Sequence, residues 1–124
     1  MRYLFNAITD PLRANRLARC LRTDQLERNP GDMVYAYAVA NALATSPTDA
    51  FVPTGYYRRR GFADREIAEW NELCDAFVCP LADVFSGAFL WLVRDLTSLV
   101  RRLNMPCVVP CVGFRAIGDD GSER

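Results

Sequence analysis

Residues able to do chemistry are few here, and one type is missing altogether. The chain has 124 residues, five cysteines and no histidine. Without histidine it lacks the commonest general base, the commonest metal ligand and the side chain that titrates near neutrality. A Ser-His-Asp or Cys-His hydrolase contained wholly in this chain is therefore excluded. The thiols are Cys20, Cys74, Cys79, Cys107 and Cys111. Their odd number argues for free thiols and a reducing compartment. Cys74/Cys79 and Cys107/Cys111 look like two zinc-binding pairs. If both segments are strands, however, Cys107 and Cys111 lie roughly 13 Å apart. Cys74 and Cys79, five apart, would then point to opposite faces. Zinc needs thiolates at about 2.3 Å, so core cysteines are expected and no metal.

Charge narrows the partners. Lys+Arg and Asp+Glu are both 15, so no net field attracts nucleic acid or an anionic membrane. Arginine still clusters over residues 13–28 and 58–65, where a local patch could hold an anion. The most apolar stretch, 84–103, carries Arg94, Asp95, Arg101 and Arg102. A membrane span is not expected there, because one needs about 20 mostly apolar residues.

Around these residues the pattern alternates strand and helix. Arg2–Ile8 (RYLFNAI) reads as a first strand. Asp10 and Pro11 open an Arg-rich helix to about Leu21. The turn Asn29–Asp32 (NPGD) precedes an Ala-rich helix, Met33–Ala44, with Asp32 as its expected cap. That helix is apolar enough to be buried on most sides. Ala50–Pro53 is a short strand, Asp64–Leu73 a helix with Ile67, Trp70 and Leu73 on one face, and Asp75–Pro80 a buried strand. Ala88–Leu103 is the clearest helix, its apolar stripe including Leu92, Leu96, Leu99 and Leu103. Cys107–Phe114 is the last strand. Pro110 inside it lacks a donor, which makes it an edge strand, a bulged one, or a segment that is only partly strand.

Strands separated by helices imply right-handed crossovers and a parallel sheet. The expected fold is α/β and Rossmann-like, a parallel sheet of about four strands with helices packed on it. The expected division is an N-terminal strand and Arg-rich helix over 1–28, a Rossmann-like domain over 29–116, and a polar tail over 117–124. Ligands of such sheets sit outside the carboxyl ends of the strands, at helix N-termini. That rule selects Asn29, Gly31 and Asp32, then Thr54–Arg60, and then Leu81–Gly87 with Gly113. By pattern alone each place also reads as an ordinary turn, since Gly, Asn and Asp dominate turns. A flavodoxin-like nucleotide module fits equally well, although the chain has no P-loop and no GxGxxG.

Taken in order, these segments resemble the polysaccharide pyruvyl transferase family. NPGDMVYAYAVANAL is similar to its N-terminal signature, an Asn-x-Gly-Asp/Asn turn opening a helix. CDAFVCPLADVFSGAFLWLVRDLTSLVRRLNMPCVVPCVGFRA resembles a second one, in which a strand ends in a Pro-Leu-Ala-Asn/Asp-x-Phe loop and a long helix leads to a strand ending in Gly-Val-Gly. Cys111 stands at the first Gly of that triplet, and Ser86 stands where Arg is common. The resemblance covers about Asn29 to Ala116. It implies the N-terminal half of a GT-B-like enzyme of bacterial surface polysaccharide synthesis. Such an enzyme transfers pyruvyl from phosphoenolpyruvate to a saccharide hydroxyl. It further implies Asn29, Gly31, Asp32, Ala82, Asp83, Phe85 and Gly113 as substrate-binding residues, no cofactor, and a cytoplasmic location. Family members carry basic donor-binding and catalytic residues in a C-terminal half that has no counterpart in these 124 residues. No catalytic residue is assigned, and the chain alone is expected to be inactive unless a further domain or second chain supplies that half. Two other readings stand beside this one: an interaction module pairing through the edge strand Cys107–Phe114, and a GT-B glycosyltransferase fragment.

Overall fold

The computed structural model describes residues 1–7, 12, 30–55, 61–81 and 90–110. Within them lie β1 (Arg2–Phe5), α1 (Pro30–Leu43), β2 (Ala50–Pro53), α2 (Asp64–Leu73), β3 (Ala76–Val78), α3 (Leu90–Val100) and β4 (Cys107–Val108). The four strands form one parallel sheet in the order β2-β1-β3-β4. This is the expected α/β architecture. The expected Arg-rich helix at 10–21 and the tail at 117–124 lie outside the described residues.

β1 is an interior strand. Tyr3 pairs with Phe51 on one side and Ala76 on the other. The strand assigned from sequence to an N-terminal extension is therefore part of the sheet that follows. Its composition explains the position: Leu4 and Phe5 are fully buried, and only a strand covered on both faces reads as a near-continuous apolar run.

Strand alternation divides the core in two. Tyr3, Phe5, Phe51, Ala76 and Val78 face α1, which meets them through Ala36 and Ala40. The Phe51 ring stacks on Tyr3 at 5.1 Å and meets Phe5 edge-on at 5.5 Å. Leu4, Phe77 and Cys79 face the other way, onto Ile67 and Trp70 of α2 and Leu92, Leu96 and Leu99 of α3. Burying each such Phe or Leu side chain contributes about 1.5–3 kcal/mol. Moving from β1 to β2 and then back past β1 to β3 reverses direction. With right-handed crossovers, that reversal sends α1 to one face and α2 and α3 to the other.

The helices depart from expectation in detail. Among its described side chains, α1 is buried along one strip: Ala36 and Ala40 touch the sheet with Val39 and Leu43 packed beside them, whereas Val34 and Tyr37 are exposed. The small alanines let the helix lie close to the sheet, and no described residue covers its outer side. α1 begins at Pro30, so Asp32 lies in its first turn and is not the cap. On α2 the third core position is Cys74 and not Leu73, which is exposed. Ile67, Trp70 and Cys74 keep the i, i+3, i+7 spacing that Leu73 breaks. Glu66 accepts a hydrogen bond from the Ala63 N–H at 3.1 Å and so closes the first turn of α2.

The end of α3 is clasped to α2. Asn71 donates to the Arg102 carbonyl at 3.0 Å and accepts from the Asn104 N–H at 2.8 Å. The Arg102 guanidinium donates to the Phe62 carbonyl and pairs with Asp64. Of the predicted strand Cys107–Phe114, β4 takes Cys107–Val108, residues 109 and 110 are not strand, and 111–114 lie outside the described residues. The Pro106 and Pro110 carbonyls accept from the Phe77 and Leu81 N–H groups, but neither proline has an N–H to return. The ladder therefore contracts to two residues.

Candidate functional site at the carboxyl edge

In this strand order the connections leave β1 and β3 in opposite directions. Open α/β sheets bind ligands at such a switch, outside the carboxyl ends of the strands. The helices point their N-termini to the same edge. α1 runs into β2 through the turn at 44–49, and α2 runs into β3 through Cys74 and Asp75. Both helices must therefore begin at the carboxyl side.

Three residues extend the sheet at this edge. Each one follows the last residue of an apolar strand: Asn6 after Phe5, Thr54 after Pro53, and Cys79 after Val78. The Asn6 N–H donates to the Val78 carbonyl and the Thr54 N–H to the Phe5 carbonyl, both at 2.9 Å. The register thus sets Asn6 between Thr54 and Cys79. All three point to the α2 and α3 face, by alternation from Leu4, Val52 and Phe77. The Gly55 N–H still reaches the Ala7 carbonyl at 3.0 Å, and its φ of 75° turns the chain away from the sheet. That backbone conformation costs glycine little.

Thr54 and Asn6 are the buried polar residues among those described. The Thr54 hydroxyl donates to Asn6 Oδ1 at 3.1 Å. Asn6 Nδ2 is buried without a hydrogen-bond partner. It lies close enough to Cys79 to favour the thiolate, yet no bond of hydrogen-bonding geometry forms. A neutral thiol is in any case a weak acceptor. Burial first, and the neighbouring Cys107 second, push the Cys79 thiol up to about 12, so it is neutral near pH 7. Burial also raises Cys74, with Asp75 adding to the shift, and raises Cys107. These thiols are free. Cys74 and Cys79 join the same core cluster instead of opposite faces, because Cys74 ends α2 and does not belong to β3. Among the described residues no group of three His, Cys, Asp or Glu side chains could hold a metal ion. Nor is any helix among them long and apolar enough to cross a membrane.

The sequence-predicted site residues meet this geometry unevenly. Gly31 and Asp32 lie in the first turn of α1, at the carboxyl edge. Thr54 is part of the buried row, and Leu81 closes the described part of β3's exit. Asn29, Ala82, Asp83, Phe85 and Gly113 lie outside the described residues. Asn6 and Cys79 were missed. The signal was available: each is the first residue beyond an apolar strand core on the carboxyl side. Compared with family models, curated proteins and solved structures, the chain matches none.

Proposed function

We propose that the chain binds a small anionic ligand at the carboxyl edge of its sheet. On this reading it is the N-terminal, Rossmann-like half of a polysaccharide pyruvyl transferase-like enzyme of GT-B architecture. The ligands are then phosphoenolpyruvate and a saccharide, and pyruvyl transfer needs a C-terminal half. The pyruvyl part rests on the sequence resemblance. The binding part rests on one observation: Asn6, buried at the β1/β3 switch, keeps an amide N–H with no acceptor. A ligand oxygen there would relieve a cost of about 1–3 kcal/mol. A cytoplasmic location is supported by the free thiols Cys74, Cys79 and Cys107.

Titration of the chain with phosphoenolpyruvate, followed by amide chemical shifts, tests both parts. Shifts at Asn6, Thr54 and the first turn of α1 are expected, with no ketal formed when a sugar is added. Ketal formation by this chain alone would overturn the claim that it is half a catalyst. Tighter binding of a nucleotide sugar than of phosphoenolpyruvate would favour a glycosyltransferase. A second reading draws on β4, which ends the sheet with Val108 and Val109 exposed. Unpaired edges invite another strand. A sedimentation coefficient that rises with concentration would support that interaction module.

A further inference from the structure

We propose that the trench between α3 and the β3–β4 edge binds a single aliphatic chain carrying an oxyanion head. The trench reaches Cys79, the neighbour of Asn6, but neither Asn6 nor Thr54 lines it, and the proposal does not depend on the function proposed above.

The trench measures about 470 Å³, and its lining is almost wholly apolar. Leu81, Leu96, Val100 and Val109 form much of it, with the thiols of Cys79 and Cys107. Val100 and Val109 stay substantially exposed, at 37% and 43%. The trench does not end in solvent on a neutral surface. Along Val93, Thr97 and Arg101 it continues into a second groove of about 480 Å³, which adds Arg94, Ser98 and Arg102.

Arg94, Ser98 and Arg101 are spaced i, i+4, i+7, so they share one flank of α3. Arg102 is committed to Asp64 and the Phe62 carbonyl. Arg94 and Arg101 have no side-chain partner among the described residues. The one acid of α3, Asp95, lies seven residues before Arg102 and so on the Arg102 side of the helix, away from the apolar trench. Around the helix, side chains therefore grade from leucine to valine to threonine to arginine. That sequence of surfaces complements an alkyl chain leading into a carboxylate or phosphate. Two guanidinium groups with no side-chain partner among the described residues supply the head contacts, and the acids Asp64 and Asp95 stand at Arg102, at the far end of the second groove. A wholly apolar partner would leave both unanswered, and a bare anion would leave the trench empty.

Calorimetry with decyl phosphate, kept below its micelle concentration, tests the assignment on the full chain. One site is expected. Hexyl phosphate and inorganic phosphate are each expected to bind at least roughly tenfold more weakly, since each buried methylene is worth about fourfold in affinity, and decanol roughly tenfold more weakly because it brings no charge to the guanidinium groups. Decanoate should compete with decyl phosphate. The double variant R94A/R101A should lose roughly tenfold for decyl phosphate and nothing for decanol, with an unchanged melting temperature. Equal binding of inorganic and decyl phosphate would overturn the proposal, as would an unaltered affinity in the arginine variant. So would adsorption to anionic phospholipid vesicles with no binding of monomeric decyl phosphate, since the surface would then be reading a membrane. The chain-length series needs no variant and decides the matter even if R94A/R101A fails to fold.

Discussion

At the amino edge of the sheet the polar groups are matched. Asp49 accepts hydrogen bonds from the Thr45 and Ser46 N–H groups at 2.9 and 2.8 Å and ion-pairs with the Met1 ammonium at 2.7 Å. Asp75 accepts from the Arg2 N–H at 2.7 Å, while its own N–H donates to the Arg2 carbonyl at 2.8 Å. At the carboxyl edge, Thr54 satisfies only one side of the Asn6 amide, and the donor is left over. Both edges belong to the same few strands, so strand chemistry does not account for the difference. An edge whose groups are matched internally gains nothing from a ligand. One with a spare buried donor does. Unsatisfied buried groups are rare in folded chains, and each calls for an explanation.

The largest expected effect breaks the Thr54–Asn6 bond. Thr54→Val keeps the side-chain shape and leaves Asn6 Oδ1 without its partner. It should cost about 1–3 kcal/mol and lower the melting temperature by several degrees. Replacing both residues by apolar near-isosteres, T54V/N6L, removes donor and acceptor together. That double variant should recover most of the loss. If the spare donor serves a ligand, it will nonetheless have lost the stabilisation that phosphoenolpyruvate gives the wild type. A double variant less stable than Thr54→Val would mean that the pair is wanted for the fold and not for binding.

Asp49 provides the counterpart at the amino edge. Hydrogen bonds from the Met1 ammonium, then from the Ser46 N–H, hold its carboxyl below the usual carboxylate range. A depressed folded pKa means that the stabilisation is present above the unfolded value, near 3.9, and is lost as pH falls through the folded one. Asp49→Asn should therefore melt below the wild type by a constant margin from about pH 5 to 6.5. The two should converge as the pH falls below about 4. Melting curves that stay parallel to pH 2 would show that the carboxylate charge is not what fastens this edge. Ligand-induced stabilisation at the carboxyl edge should be the same in both proteins.

Sequence carried the architecture well and the edges poorly. α2 was legible to the residue, because Asp64 and Glu66 favour a helix start and Ile67 and Trp70 recur on one face. β1, β2 and β3 were legible as apolar runs between breakers. What periodicity could not convey was the order of strands. RYLF looked like an appendage because nothing local says that Tyr3 will stack on Phe51, 48 residues away. The α1 helix misled in another way: it scores as apolar on every side, yet Ala36 and Ala40 are its fully buried positions among those described, with Val39 and Leu43 partly buried beside them. Asn6 was hidden by its neighbours. Read inside the strand Arg2–Ile8 it looked like one more strand position, and only the register shows that it follows β1 beside Thr54 and Cys79.

The smallest effect concerns thiol reactivity and leaves stability near neutral pH untouched. Cys79 and Cys107 are on the same face of adjacent strands, but Cys107 pairs with Phe77, so the two thiols are diagonal neighbours. Such positions are typically about 7–8 Å apart, beyond the usual Cα separation for a disulfide. The pair is therefore expected to stay reduced in air and to differ only in reactivity. At pH 9 the Cys79 thiolate fraction is about 10⁻³ for a thiol titrating near 12, whereas Cys107 is exposed. Iodoacetamide at pH 9, followed by peptide mass mapping, should label Cys107 well before Cys79. The order should hold until denaturant opens the core. Asn6→Leu removes the amide that favours the Cys79 thiolate and should slow Cys79 further without changing Cys107. Comparable rates at the two cysteines in the native chain would mean that the carboxyl edge is open to solvent. In that case the spare Asn6 donor would be hydrated instead of reserved for a ligand.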